Sequence, residues 1–358
     1  MALMPTGLFV GFGAARQSSH SRSRYLQRSA SISPVLRPSA EPQSFDSSAV
    51  GGVTVEVPRV AGGKWRMWYH GRSLEADPEV VPLSMGSIGL AESDDGLHWQ
   101  KCRGSAPSGA VFTPTKDAAK FDSALVGMGS ILGERLYYFG GSREPFAIGD
   151  RSMLGVHQSI GVAFDTGTGG WNDRREILPR GDDFDAVFAA SPQVVKHSAE
   201  DWRMYYHGAG LEDKKFRIGL ARSRDGLTWK REGVIVSPGV DGAFDAGGCS
   251  RRHVFPDGDG YTMIYEGSSA AGHAFGLAKS VDGIVWEKAG DGPIFAPSPE
   301  ADAFDARAVS APFFVPMEIG GYQGEQGMLF YVGLDASGAS SVGIAGAEQG
   351  DLSRLSRL

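Results

Sequence analysis

Six carboxylates in this 358-residue chain occupy sequence settings suited to proton chemistry. Glu266 ends the apolar run Thr-Met-Ile-Tyr-Glu, and loss of solvent there would raise its carboxyl toward the range of a general acid. The other five each follow a phenylalanine: Asp46, Asp122, Asp185, Asp245 and Asp305. An ionised aspartate facing a protonated glutamate makes an acid–base pair. Glu266 is therefore expected as the acid, with Asp185, Asp245 or Asp122 as its partner. Asp46, Asp305 and whichever of the rest is left over would contact ligand.

A second set of candidates is basic. Arg251, Arg252 and His253 are consecutive. A guanidinium presents a planar fork of donors that matches a carboxylate or phosphate. Neighbours on a strand point to opposite faces, so only alternate members of the three can share one site. His70 and His207 each precede a glycine after an aromatic pair and are expected at strand ends beside the ligand, with Arg72, Arg143 and Glu144 in loops on the same side. No Cys/His cluster has metal-ligand spacing and no glycine-rich loop opens a helix, so neither metal nor nucleotide cofactor is expected.

The elements that must position these residues are repeats. After each Phe-Asp comes an extended apolar segment, then an aromatic strand: WRMWYHG from Trp65, RLYYFGG from Arg135, WRMYYHG from Trp202, YTMIYEG from Tyr261, MLFYVGL from Met328. A third strand follows, as in SIGLAES from Ser87 and RIGLARS from Arg217. The turns SDDGLHW, SRDGLTW and SVDGIVW then lead to a Trp-led fourth strand, with Asp-Gly supplying the positive φ of a tight hairpin. Four strands per unit is the blade of a propeller, and five units predict an all-β, five-bladed ring over residues 33–350, with 351–358 as a C-terminal tail. Glu266 breaks the repeat, since His70, Gly140, His207 and Val332 hold its place in the other units.

Each unit closes with an apolar pair before proline: VFTP, ILP, IVSP and IFAP, followed five to seven residues later by the next Phe-Asp. The fifth unit lacks such an ending, yet PVLRP at Pro34–Pro38 precedes the first Phe-Asp at the same spacing. The amino-terminal strand is therefore expected to complete the last blade. Fivefold repetition also favours a scaffold role for the aspartates: each would cap its own turn through backbone bonds, with its phenylalanine packed between blades.

Residues 1–40 hold five Arg and eight Ser with no Asp, Glu or Lys, the composition of an organelle transit peptide. Residues 1–32 are expected to be cleaved or disordered, with a plastid as the destination, or else a mitochondrion. The chain carries a net charge of −7, and about −12 once those five arginines are subtracted. That balance argues against nucleic acid. No apolar run approaches the ~18 residues of a membrane span.

The repeat and its strand vocabulary resemble the superfamily of arabinanase, invertase and levansucrase-type glycoside hydrolases and their glycoside phosphorylase relatives. The resemblance implies a five-bladed propeller with a sugar pocket on its axis and catalytic acids projecting from the inner strands, in an Asp-Pro slot a few residues past each Phe-Asp. Here the sequence departs from the pattern. Six and seven residues past each repeat aspartate stand Gly52-Val53, Met128-Gly129, Ser191-Pro192, Arg251-Arg252 and Ala311-Pro312, none of them acidic. Two readings follow: a glycosidase-like or phosphorylase-like enzyme using Glu266, the latter with phosphate at Arg251/Arg252, or a catalytically silent propeller that binds carbohydrate or a protein.

Overall fold

The computed structural model describes residues 33–358 apart from 61, 83–85, 149, 168–169, 291, 318–323 and 325. The expected transit segment lies outside the described residues. Every regular element among the described residues is a strand. β1 (Ala49–Glu56), β2 (Trp65–Arg72), β3 (Ser87–Ser93) and β4 (Gln100–Cys102) form one antiparallel group. β5 (Leu125–Leu132) and β6 (Arg135–Gly141) continue, after a small hairpin of β7 (Phe146–Ile148) and β8 (Arg151–Met153), into β9 (Gln158–Asp165) and β10 (Trp171–Leu178). A third group is β11 (Phe188–Lys196), β12 (Trp202–Ala209), β13 (Phe216–Ser223) and β14 (Lys230–Val236). A fourth is β15 (Gly248–Asp257), β16 (Gly260–Ser269), β17 (Gly272–Ser280) and β18 (Glu287–Ala289). The last is β19 (Ala308–Val315), β20 (Gln326–Leu334), β21 (Ser340–Glu348) and β22 (Leu355–Arg357).

The aromatic second strands are buried almost throughout; every residue of β12 is buried. A strand covered on both faces needs a continuous rather than alternating apolar pattern, which is what Trp-Arg-Met-Tyr-Tyr supplies. Five apolar clusters each unite two successive groups. Trp68 and Ile88 meet Val126 and Tyr138, for example, and Met67 and Tyr69 of the first group meet Phe330 and Ile344 of the last. Strand pairing does not run round the whole molecule, because the first and last groups are separate four-stranded sheets.

The termini share the outer edge of the last group. Leu36 bridges Val342 as Phe112 bridges Ile88 and Phe295 bridges Phe275, which sets the PVLRP segment beside β21. It is only half the edge, however. Residues 351–358 are not a tail: β22 pairs with Ala345–Ala347 and supplies the fourth strand. The serine–aspartate turns behave as structural turns. In each, one aspartate oxygen accepts two backbone N–H groups, as Asp95 does from Leu97 and His98, both at 2.8 Å.

The repeat phenylalanines belong to the apolar clusters that join neighbouring groups. Each lies against a tyrosine of its own group, Phe45 on Tyr69 and Phe184 on Tyr206 with centroids 5.7 and 5.5 Å apart. The third-strand glycine makes this possible: a Cβ on Gly219 would stand 2.2 Å from the Phe184 ring.

Candidate functional site

Each Phe-Asp aspartate is a buried hub inside its own group. Asp46, Asp122, Asp185, Asp245 and Asp305 are all at most 2% exposed. Each accepts a hydrogen bond from the tyrosine hydroxyl of the second strand: Tyr69, Tyr138, Tyr206, Tyr265 and Tyr331, at 2.9–3.0 Å. Each also pairs with a cation from the outer strand. Lys101, Arg174, Arg231 and Arg357 stand 2.5, 2.9, 2.9 and 2.7 Å from Asp46, Asp122, Asp185 and Asp305, and Lys288 completes the set on Asp245. Burial, reinforced by the adjacent carboxylate, raises the pKa of every one of these tyrosines and keeps them donors. The aspartates therefore tie first, second and fourth strands together rather than capping turns. The cationic partners were legible in part, because Lys101, Arg231 and Lys288 all stand two residues after a tryptophan.

The axis is built from a different set. A cavity of about 50 Å³ is lined by Gly52–Thr54, Met128–Ser130, Ser191–Gln193, Arg251–His253 and Ala311–Phe313, one triplet from each first strand. These are the residues six to eight past each repeat aspartate, and the first two of each triplet are the positions compared with the Asp-Pro slot above. Every first strand slips register there, for example between Cys249 and Arg252 and between Ser310 and Phe313. Ser191 and Ala311 take positive φ values of 51° and 54° at the slip. Such bulges re-aim side chains beside a site. The slip in β15 brings Arg251, Arg252 and His253 all into the lining, where a regular strand would show only alternate members. No Asp or Glu lines this cavity among the described residues.

Arg251 crosses toward the first group, its Nη1 lying 3.2 Å from His70 Nε2. A Cβ on Gly52 would stand 2.5 Å from Arg251 Nη1, so the absence of a side chain at residue 52 leaves the guanidinium its place. Arg252 turns to the third group. It donates to the carbonyls of Ser191 and Tyr205 and lies 3.4 Å from His207 Nδ1, while its Nε is buried without a partner. His253 Nδ1 accepts the Phe314 N–H at 3.1 Å. Burial, then the charge of Arg251, pushes Arg252 down to about 9. Burial and a neighbouring arginine likewise lower His70, His207 and His253, the last to about 3. All three histidines are neutral at physiological pH.

Glu266 is not poised as a general acid. It is 4% exposed and absent from the axial lining. Burial would raise its pKa, but the His273 hydrogen bond, the charges of His273 and Arg251 and the Ala311 N–H outweigh this, and the net shift is downward. His273 Nδ1 stands 2.7 Å from one oxygen, while Ser310 Oγ and the Ala311 N–H donate to the other at 2.7 and 3.0 Å. Its counterpart His70 accepts the Met128 N–H at 3.2 Å, the equivalent slot residue of the next group. Both side chains clasp neighbouring groups. Arg143 is exposed and pairs with Asp77 at 3.4 Å outside the cavity, and Arg72 donates to the carbonyls of Asp77, Val80 and Val81. Among the described residues, no three His, Cys, Asp or Glu side chains gather to hold a metal ion.

The fold these strands make is the β-propeller of glycoside hydrolases. A solved glycoside hydrolase superposes with a TM-score of 0.63 at 18% identity, covering 89% of this chain and 92% of its own. A thermostable family-43 glycoside hydrolase gives 0.58 at 13% identity over 87% and 93%. The Bombyx mori family-32 β-fructofuranosidase gives 0.58 at 14% identity over 91% and 65%. No family model matches the sequence. The chain is also similar to a curated protein, the A type blood N-acetyl-α-D-galactosamine deacetylase of Flavonifractor plautii, at 23% identity over 267 residues, 66% of this chain. It spans about a third, 34%, of that protein's length.

Proposed function

We propose that the chain is a five-bladed propeller that binds a carbohydrate at its axial face and does not hydrolyse glycosidic bonds by the two-carboxylate route. The observation that carries this reading is the disposition of the acids. The two-carboxylate mechanism needs one protonated acid and one ionised carboxylate roughly 5–9.5 Å apart across the scissile bond. Here Asp185 and Asp245 are occupied within their blades, Glu266 is held ionised between blades, and the axial lining presents arginine and histidine instead.

The blade count rests on five four-stranded groups, and ring closure on the apolar cluster joining the last group to the first together with the Ser340 hydroxyl donating to Val50 O at 2.7 Å. The carbohydrate assignment rests on the structural relatives. One of them, at a TM-score of 0.63, is titled as a complex with a chain of RGII. The test pairs a glycan-binding screen with an aryl-glycoside screen, each with and without phosphate. Binding without turnover supports the reading; turnover of any aryl glycoside that survives repurification contradicts it.

A further inference from the structure

The axial nitrogens present a problem of hydrogen-bond chemistry. Met128 N–H donates to His70 Nδ1, so the proton of the neutral ring resides on Nε2. Arg251 Nη1, which can only donate, lies 3.2 Å from that same Nε2. Two N–H groups therefore converge with no acceptor between them. Phe314 N–H fixes His253 in the same way and leaves its Nε2 the donor. Arg252 Nε–H is buried and unpartnered. Among the described residues, no carboxylate accepts a hydrogen bond or salt bridge from Arg251 or Arg252. Glu266 acts on Arg251 through its charge alone, without a direct contact; buried arginines with no carboxylate in contact and orphaned donors are each costly, and one group relieves both: an anion with several acceptor oxygens.

We propose that the axial cavity is an oxyanion site, in which Arg251, Arg252 and the Nε2–H of His70 receive a phosphate, sulfate or carboxylate group. The cavity's 50 Å³ has room for roughly three to five waters at the ~10–15 Å³ each needs, which suits one oxyanion head and not a sugar ring. Any sugar attached to the head sits at the mouth. This inference rests on the carbohydrate reading only for what the oxyanion is attached to; free phosphate offers the same chemistry.

Titration calorimetry of the full chain at fixed ionic strength, with inorganic phosphate, glucose 6-phosphate, galacturonic acid and neutral glucose, tests it. At least one of the three anions binds, and Arg251→Gln weakens that binding about tenfold or more, the loss of a charge-assisted contact. Phosphate also stabilises proteins by exclusion from their surface, but that effect is common to both proteins and cancels. Gly52→Ala, which crowds the Arg251 guanidinium, gives the same direction should Arg251→Gln fold poorly. Binding of phosphate alone assigns the free ion, and binding of the sugar-borne anions alone assigns a charged glycan. No anion binding at about 10 mM, or binding by both variants as tight as the parent's, overturns the oxyanion site. Glucose binding as tightly as glucose 6-phosphate overturns it while leaving the carbohydrate reading in place. Turnover of an aryl glycoside sinks that reading without touching this one.

Discussion

The interiors of the five strand groups and the cavity between them are built by opposite rules. In each strand group one constellation recurs: a buried aspartate, a tyrosine hydroxyl that donates to it and a lysine or arginine that pairs with its charge. At the axis the five triplets are all different, and two arginines collect on one strand with no carboxylate among the described lining residues. A group needed by every blade is needed for folding, whereas a ligand without fivefold symmetry calls for residues that break the pattern. The comparison teaches that repeated carboxylates in such an array are first a structural feature, and that the irregular residues are the ones to test for ligand binding.

The largest expected effect comes from removing residues 353–358. That truncation deletes β22 and Arg357, leaving Asp305 with only the Tyr331 hydroxyl. We expect a loss of about 5 kcal/mol or more by denaturant unfolding, strand and buried pair together. A loss under about 1 kcal/mol would show the C-terminal edge to be dispensable.

Next come the ties themselves. Asp46, Asp122, Asp185, Asp245 or Asp305 changed to Ala should each cost about 2–3 kcal/mol, below the usual figure for breaking a buried pair because the cations are partly exposed. Asn should cost about 1–2 kcal/mol, since it keeps an acceptor for tyrosine and loses the charge. Costs that scatter widely between blades would break the comparison.

A smaller, pH-dependent effect attaches to Glu266 and His273. Glu266 is lowered from its ordinary 4.5, so its contribution is present above pH 4.5 and lost as pH falls through the folded value. His273 is raised from 6.5, so its contribution is present below pH 6.5 and lost as pH rises through the folded value. Both are full between those two values. Glu266→Gln should therefore lower Tm most near pH 5.5 and less at pH 8, read by thermal scans across that range. A Tm difference flat with pH would remove the ion pair from the account. The smallest expected change in stability is that of Gly52→Ala, about 0–1 kcal/mol, because the clash falls on the movable end of Arg251.

Much of the fold was legible because blades are local. Strand runs, Asp-Gly turns and the proline endings all sit within one unit, and PVLRP reads as a misplaced ending because its spacing to Phe45 matches the rest. Counting from Phe-Asp even located the axial slot. The partners of that slot were not legible, since they depend on contacts across the ring. The pKa of Glu266 is set by burial, by His273 across a hairpin, by the charge of Arg251 and by the Ala311 N–H, 45 residues away. The alternation rule also failed at Arg251 and Arg252, because a register slip in β15 sends adjacent residues into one cavity.

The measurement that bears most directly on the central claim is a paired one on the same proteins: unfolding free energy and axial ligand binding for Asp185→Asn, Asp245→Asn and Arg251→Gln. Scaffold blades and a functional axis predict that the two aspartate variants lose stability and, while folded, bind the oxyanion as the parent does. Arg251→Gln should keep its stability and lose binding. The account is contradicted if one aspartate variant stays as stable as the parent yet loses binding or a measured glycosidase activity.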